Sequence, residues 1–482
     1  MRDSVLARTL ATVVLLIGCG ESATPPANPG VVIAAASAAP NPENVLSAIV
    51  SVALTGADSA RVTYTPSGGT SEQTPYVRVP DDGALRVALV GLRPSATYSA
   101  VVEAVGPGSA SAVPSSPVSF STGELPAFLR TLSFTVTGNP SPGYRIASAG
   151  APDGTVWAVA FDGAGAVRWY RHFDEPAVVG DFQQQPNGNF TIPIGSTYGW
   201  QPTYTRFLEF TPAGEVVRQF SAPPPLYTDH HELLLTFRDT ALEAAHFFAY
   251  SLRTVDASQH GLGPGTLLAG HSILRQSASN ANTFLWNAWD HVTLDDWIEP
   301  PFQAPFDFDH PNSLDIGRDG NFLVSFRNMG EVTKLDSRNG RIIWRLGGRN
   351  NQFRFVNDPK NGFSAQHFAR ELEDGHVLIY DNGTRHEPPE TRVVEYALDT
   401  VAKTATLVWE YRHSPPIYTA FMGSAQRLRD GLTFINYSTV GRVAMVNRAG
   451  AVQWEGTVTK GAGIDTSYRM LVVPSLYRYE RP

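Results

Sequence analysis

Cysteine is almost absent from this sequence: Cys19 is the only one in 482 residues. One thiol cannot form an intramolecular disulfide, so the fold cannot depend on a disulfide framework. Charged side chains are also scarce, at 17% of the chain, and acidic residues outnumber basic ones to give a net charge of −8. The chain lacks a basic stripe of the kind that binds nucleic acid, which argues against DNA or RNA as a partner.

Long apolar stretches are missing as well, and the run Leu10–Ile17 is too short to cross a membrane. It follows two basic residues and ends in Leu-Ile-Gly-Cys at Cys19, which resembles the lipoprotein box of bacterial signal peptides. We therefore predict a lipoprotein signal peptide over residues 1–19 and membrane anchoring through lipid on Cys19. Because Gly20 follows, the predicted location is the periplasm or cell surface, at the outer membrane. The alternative is an ordinary signal peptide with a chance cysteine.

Glycine and proline are abundant, with 42 and 36 residues, as in turn-rich β-proteins. Residues 20–40 have few bulky apolar side chains and are predicted to form a flexible linker. Residues 41–123 contain short alternating strands, and the segments Leu92–Ser99 and Ser119–Gly123 resemble a fibronectin type III domain. We predict a β-sandwich over this range, with a role as a spacer or packing module.

Three later stretches share one pattern: DHPNSLDIGRDGNFLVSFRN, QHFARELEDGHVLIYDNG and GSAQRLRDGLTFINYS. Each runs from a polar residue through a short apolar strand to Asp-Gly and then into a second strand, which predicts a β-hairpin. The polar residues are His310, His367 and Ser424, spaced 57 residues apart. A strand repeat of this length indicates a β-propeller.

Similar units begin near residues 144, 180, 230, 310, 367 and 423, which predicts six blades within residues 125–482. The final segment SYRMLVVPSLY is expected to return to the first blade and close the ring. The predicted fold class is therefore all-β: a six-bladed β-propeller preceded by a fibronectin type III-like β-sandwich.

Residues at one phase of each blade meet on the propeller axis, so polar side chains distant in sequence should form one site. His310 and Asn312 share one face of a strand, and Arg327 lies on the next strand. His230 and His231 begin another unit, where alternation lets only one of them face the axis. An arginine fork, an amide and imidazoles suit a small tetrahedral oxyanion. The histidines without this phase, expected at the surface, are His246, His260, His271, His376 and His386.

The motifs His-x-Asn, Ser-x-Arg-Asn, GFSAQHFARELEDGHVLIYDNG and GSAQRL together resemble the bacterial arylsulfate sulfotransferases, over about residues 220–460. This resemblance implies a periplasmic six-bladed propeller with an N-terminal β-sandwich and no cofactor. It also implies transfer of a sulfuryl group from an aryl sulfate ester to a phenol, without an adenylyl sulfate donor. The characterised bacterial enzymes carry a disulfide that this chain cannot form, and the resemblance does not fix the oligomeric state.

The same resemblance implies a role for each matching residue. His367 would be the nucleophile that becomes transiently sulfated. Arg327, His310 and Asn312 would bind the sulfuryl oxygens, and Ser424 would place a hydroxyl near the sulfate.

The proton donor and acceptor would be His310, or one of His230 and His231. Aromatic side chains are available for the phenyl ring, but each could equally serve in packing. They are Trp286, Trp289, Phe363, Tyr418 and Phe421.

Two other functions fit parts of the pattern. A metal-dependent propeller hydrolase or lyase could use His230 or His231, His310 and His367 as ligands, although the sulfotransferase hypothesis requires no metal. A non-enzymatic surface protein could use the sandwich and the propeller for adhesion.

Overall fold

The computed structural model describes residues 30–139, 142–176, 179–195, 205–299, 305–461, 463–464 and 467–478. The predicted signal peptide, Cys19 and the first part of the predicted linker lie outside these residues. Among the described residues, no helix is long and apolar enough to cross a membrane.

Nine strands make up two sheets at the N-terminal end. They are β1 (Val32–Asn41), β2 (Asn44–Thr55), β3 (Ser59–Pro66), β4 (Glu72–Gln73), β5 (Val77–Arg78), β6 (Ala84–Leu89), β7 (Thr97–Val105), β8 (Val113–Pro114) and β9 (Val118–Ser121). One sheet has the order β1-β2-β6, and the other is built around β3 and β7. Inward-facing residues of both sheets, such as Val50 and Val62, share one apolar core.

The predicted linker is wrong over its last residues, because β1 pairs along its length with β2 in antiparallel register. The segment has small side chains, but its backbone groups still find ladder partners on β2. Composition alone does not reveal such an edge strand.

Twenty-eight strands follow. The first are β10 (Leu132–Gly138), β11 (Tyr144–Gly150), β12 (Thr155–Phe161), β13 (Val167–Pro176), β14 (Gln183–Gln184), β15 (Phe190–Ile194), β16 (Arg206–Phe210) and β17 (Val216–Phe220). Next come β18 (Tyr227–Arg238), β19 (Ala241–Val255), β20 (Thr266–Ser277), β21 (Asn282–Asn287), β22 (Phe306–Asp307), β23 (Pro311–Ile316), β24 (Phe322–Phe326), β25 (Glu331–Leu335) and β26 (Ile342–Gly347).

The last are β27 (Arg354–Val356), β28 (His367–Glu371), β29 (Val377–Asp381), β30 (Arg392–Asp399), β31 (Thr404–Tyr411), β32 (Ser424–Arg427), β33 (Thr433–Tyr437), β34 (Arg442–Val446), β35 (Val452–Lys460), β36 (Gly463–Ile464) and β37 (Met470–Val473). Helical structure in the described chain consists of α1 (Ala288–His291) and 3-10 turns at Leu129–Thr131, Ser258–His260, Leu294–Asp296 and Ser438–Val440.

These strands form six successive, mainly antiparallel sheets, whose hairpin series begin with β11, β14, β18, β23, β28 and β32. The first residues of these strands, 144, 183, 227, 311, 367 and 424, follow the repeat read from the sequence. The first strands of neighbouring sheets touch in series, β18 with β23, β23 with β28, and β28 with β32, and β32 also touches the C-terminal strand β37 of the first sheet. The fold is therefore all-β and propeller-like.

The chain ends close the series of sheets. The C-terminal strand β37 pairs with β11 of the first sheet, as the sequence predicts, and β10 pairs with β35 of the last. The predicted Asp-Gly hairpins are also confirmed: Gly320, Gly375 and Gly431 all have positive φ, between 74° and 86°. A side chain at these positions would be strained, which explains why the turns need glycine.

The two N-terminal sheets pack on the first of these six sheets. Asn44 Nδ2 donates to the Tyr170 carbonyl at 2.7 Å, and the Val45 N–H donates to the Tyr170 hydroxyl at 2.9 Å. The Val90 N–H donates to the Tyr477 hydroxyl at 3.0 Å, which ties the C-terminal segment to the same surface.

Candidate active site

The residues predicted to form the site lie at one end of the first strands. They are His230 and His231 in β18, His310 and Asn312 at the start of β23, Arg327 just after β24, His367 at the start of β28, and Ser424 at the start of β32. Because the first strands of neighbouring sheets touch, residues at their starting ends converge.

His230 and His231 both belong to this cluster. Their rings stack with centroids 4.3 Å apart, and the His231 ring lies 4.7 Å from the His310 ring. The expectation that alternation would separate the two is wrong, because the register of β18 against β19 shifts between Thr228 and Leu233. Such an irregularity breaks the strict in-out alternation of a strand.

Three imidazoles are each held by a carboxylate at Nδ1. Asp229 lies 2.8 Å from His231 Nδ1, and Asp307 lies 2.6 Å from His310 Nδ1. The third pair is Asp309 with His271 Nδ1, also at 2.8 Å. In each pair the carboxylate accepts a hydrogen bond from the Nδ1–H group, and this bond fixes the orientation of the ring.

His271 is the site residue that sequence reasoning missed. Only 1% of it is exposed, and its Nε2 lies 3.7 Å from Asp229. Burial lowers the pKa of His271, but the carboxylates of Asp309 and Asp307 outweigh burial and hold the pKa well above its usual value. The surrounding acids therefore favour the imidazolium form of this ring. The sequence feature that could have indicated a buried histidine partner is the pair of acids in Asp-Phe-Asp, just before His310.

The surface expectation is also wrong for His246 and His386, each 7% exposed. The rings of His260 and His376 are partly exposed. A propeller-like fold buries much of each sheet between neighbours, so a histidine without the repeat phase can still be interior.

His367 is almost fully buried, and its tautomer is fixed by its neighbours. Nδ1 lies 2.8 Å from Asn382 Oδ1 and 3.1 Å from the Ala365 carbonyl, and both of these atoms are acceptors. Nδ1 therefore carries the proton, and Nε2 keeps its lone pair, which accepts the Met422 N–H at 3.1 Å.

Burial, followed by the positive charge of Arg327, holds the pKa of His367 well below its usual value. The ring is therefore neutral at neutral pH. His310 and His231 are also close enough to lower this pKa. His367, Arg327, His310 and His231 thus form one electrostatic unit.

Asn382 is a second residue that sequence reasoning did not single out. Its Nδ2 donates to the carbonyls of Thr419 at 2.8 Å and Met422 at 3.1 Å, so its Oδ1 must face His367. Asn382 belongs to the Asp-Asn-Gly that ends the second repeat. The spacing of the repeats does not predict its contact with His367 on the preceding strand.

Arg327, which is predicted to bind an oxyanion, is buried and oriented by its neighbours. Arg327 Nη1 donates to Asn328 Oδ1 at 2.6 Å, and Nη2 donates to the Ala420 carbonyl at 3.3 Å. Asn328 Nδ2 in turn donates to the carbonyl of Asp307. Arg327 is thus linked through Asn328 to the loop that holds His310.

Asn312 and Ser424 are placed differently. Asn312 Nδ2 donates to the Gln366 carbonyl at 2.8 Å, whereas its buried Oδ1 has no hydrogen bond to the described residues. The Ser424 hydroxyl donates to the Met470 carbonyl at 3.1 Å and is directed at β37.

A model of the family described as arylsulfotransferase (ASST) matches residues 201–460, more than half of the chain. The chain belongs to the arylsulfotransferase family. This confirms the family resemblance inferred from the motifs around His310, His367 and Ser424. No curated protein sequence matches the chain.

Solved structures resemble this chain only distantly. A protein of unknown function from Bacteroides caccae has 11% identity and a TM-score of 0.44, covering 69% of this chain and 99% of its own. Periplasmic gluconolactonase from Pseudomonas aeruginosa has 12% identity and a TM-score of 0.40, with coverages of 69% and 100%. Virginiamycin B lyase from Staphylococcus aureus has 8% identity and a TM-score of 0.34, with coverages of 70% and 89%.

The chain has a large cavity of about 1050 Å³, but none of the predicted site residues lines it. Its walls come from the same first strands, including Gln184, Gln426 and Phe368, the residue directly after His367. Arg469 connects the two regions, since it donates to the Asn312 carbonyl and lies 5.0 Å from the Phe368 ring. We place the chemistry at the histidine end, because cavity size alone does not supply a nucleophile.

Two sets of side chains in the site have the ligand types of a metal centre. They are Asp229, His230 and His231, and His271, Asp307 and Asp309. The ligand set predicted from sequence combined His230 or His231 with His310 and His367, but among the described residues neither His310 nor His367 belongs to such a group. That set does not converge as a metal site would require.

Proposed function

We propose that this arylsulfotransferase moves a sulfuryl group from a phenolic sulfate ester to a phenol through a sulfohistidine at His367, without an adenylyl sulfate donor. One observation carries the proposal: two acceptors hold the proton on Nδ1 of the buried His367, so Nε2 keeps its lone pair, which the Met422 N–H meets beside Arg327 in this structure. A neutral imidazole attacks as a nucleophile and then leaves readily from a cationic adduct.

In the first half-reaction, His367 Nε2 forms a bond to sulfur while the bond from sulfur to the phenolic oxygen breaks. The leaving oxygen takes a proton from a general acid, and a neutral phenol departs. In the second half-reaction, the same group removes a proton from the incoming phenol, whose oxygen attacks sulfur and releases His367. Atoms and protons balance over the cycle.

His310 is the group we assign as this acid and base. Asp307 holds its Nδ1 at 2.6 Å, and its ring belongs to the cluster that acts on His367. Burial lowers the pKa of His231 and lowers that of His230 to about 4, so burial favours the neutral form of both rings. We assign these two neutral rings to contacts with the substrate.

Sulfuryl transfer has a loose transition state, in which charge moves towards the bridging oxygen, so positioning and electrostatics dominate the rate. Arg327 would supply the fixed positive charge at the sulfuryl oxygens, with Asn312 as a further polar contact. Ser424 would lie near the sulfate without donating to it, because its hydroxyl donates to the backbone of β37.

We further propose that the six sheets are the blades of a propeller spanning residues 125–482, and that residues 41–123 form a fibronectin type III-like spacer. Lipid on Cys19 would anchor the enzyme on the periplasmic or outer surface of the cell, at the outer membrane. The spacer would then hold the active site away from the membrane.

The test is incubation of the full-length protein with 4-nitrophenyl sulfate, with and without phenol, followed by intact mass and peptide mapping. We expect phenol-dependent release of 4-nitrophenol and a sulfate-sized mass increase on the His367 peptide. The His367→Ala variant should show neither. If several aryl sulfates give no release and no adduct, the proposal is wrong.

A further inference from the structure

The segment 418–422, between β31 and β32, is fastened to the proposed catalytic residues by its backbone. The Ala420 carbonyl accepts from Arg327 Nη2 at 3.3 Å, and the Met422 N–H donates to His367 Nε2 at 3.1 Å. A segment whose main chain touches both the proposed nucleophile and the proposed sulfuryl ligand must pass directly over the reacting atoms.

The same segment is also anchored from beneath. Asn382 Nδ2 donates to the carbonyls of Thr419 and Met422, and the Thr419 hydroxyl lies 2.7 Å from the Tyr380 hydroxyl. Thr419 itself is 1% exposed. The backbone of the segment is therefore held in place, and this fixes where its exposed side chains leave the main chain.

Two of those side chains are exposed aromatics. Tyr418 is 43% exposed and Phe421 is 44% exposed, on either side of the anchored Thr419 and Ala420. Large aromatic side chains gain free energy when they leave water, so a pair held open on a rigid segment is suited to receive an apolar partner.

The other aromatics suggested by sequence are already used in packing. Trp286 is 3% exposed, with its ring 5.1 Å from that of Phe326. Phe363 is 8% exposed and packs on Tyr396. Trp289 packs on Phe308 at 5.1 Å and its indole N–H donates to Ser251. Only the pair on segment 418–422 combines open faces with contact to the site.

Charge near the pair limits the substituents that a ring can carry. Tyr418 is close enough to Glu299 and Arg327 for both to act on its hydroxyl. Glu299 is 4% exposed and accepts from the Thr384 hydroxyl at 3.2 Å. In its ionised form, the Glu299 carboxylate near Tyr418 would repel an anionic substituent on a ring bound there.

We propose that Tyr418 and Phe421 form the aryl-binding platform of this enzyme, which selects flat phenols and phenyl sulfates without an anionic ring substituent. This inference rests on the proposed sulfuryl transfer at His367. The platform determines specificity by holding the ring, whereas His367 and Arg327 carry out the transfer.

The test compares Tyr418→Ala, Phe421→Ala and the double variant of the full-length protein in transfer from 4-nitrophenyl sulfate. The acceptors are phenol, 2-naphthol and 4-hydroxybenzoate. We expect each single variant to raise the acceptor KM by about fivefold, and more for 2-naphthol than for phenol, with kcat changed less than twofold. Wild type should use 4-hydroxybenzoate least well. Phe284→Ala is the matched control, since Phe284 is 54% exposed but lies on the outer strand β21.

An unchanged KM in both single variants and the double variant would overturn the platform, and so would an equal change in Phe284→Ala. If an alanine variant does not fold, Tyr418→Leu or Phe421→Leu replaces it under the same criteria. These outcomes are distinct from a failure of the proposed function, in which the wild type itself would release no 4-nitrophenol and form no adduct.

Discussion

Arg327→Lys tests whether the site uses a fork of hydrogen bonds or only a positive charge. The guanidinium already donates to Asn328 Oδ1 at 2.6 Å and to the Ala420 carbonyl at 3.3 Å, and in the proposed mechanism it also binds the sulfuryl oxygens. Lysine keeps the charge but has one ammonium on a flexible stem, so it cannot serve these acceptors and the sulfuryl oxygens together. At least one buried group then loses its partner.

The magnitude follows from two separate losses. A buried acceptor without its partner costs about 1–3 kcal/mol of folding stability. Removal of one pre-oriented donor from a developing oxyanion costs about 2.7–4 kcal/mol of transition-state stabilisation, or roughly 10²–10³ in kcat. We therefore expect a folded variant with a modestly lower Tm and a kcat at least 100-fold below wild type, because each 1.36 kcal/mol is about tenfold in rate.

The assay is steady-state transfer from 4-nitrophenyl sulfate to phenol, with thermal unfolding measured on the same samples. Arg338→Lys is the matched control: Arg338 pairs with Asp336 on the surface, with its side chain 84% exposed, so its loss should leave kcat unchanged. Turnover of Arg327→Lys within threefold of wild type would refute the oxyanion role.

Three further outcomes are expected. Asp307→Asn should lower kcat more for phenyl sulfate than for 4-nitrophenyl sulfate, because the poorer leaving group depends on the proton from His310; equal losses would contradict the pairing with Asp307. Stability should fall from pH 7 to pH 5, because burial lowers the pKa of His230 and His246 to about 4 and only the unfolded chain takes up those protons; a flat Tm would contradict this. Cys19→Ser should release the protein from the membrane fraction, and unchanged fractionation would refute lipid anchoring.

The repeat phase was sufficient to predict which strand ends converge. His310, His367 and Ser424 recur at one interval, and each lies at the start of the first strand of a sheet. Backbone periodicity of this kind is local, because it depends only on turn chemistry and strand alternation. The family resemblance then gave Arg327 and Asn312 their roles.

The partners of these residues were not predictable in the same way. His271 lies on the third strand of its sheet and meets Asp309 across 38 residues. Asn382 reaches His367 from the neighbouring strand. Such contacts depend on the direction of each side chain within a packed sheet, and the strand repeat does not predict that direction. A bulge in β18 likewise brought His230 and His231 together, against simple alternation.

The backbone around the proposed catalytic residues is strained, and a strained backbone persists only where the surrounding packing holds it in place. His310, Ala365, Phe368 and Met422 all have positive φ, between 45° and 60°, without being glycine. Each such residue costs on the order of 1 kcal/mol or more, so the surrounding contacts must overdetermine the conformation. Three of the four directly hold the catalytic rings: His310 carries one, the Ala365 carbonyl faces His367 Nδ1, and the Met422 N–H faces His367 Nε2. A relaxed backbone at these positions would turn these groups away from His367, and the pre-orientation that sulfuryl transfer requires would be lost.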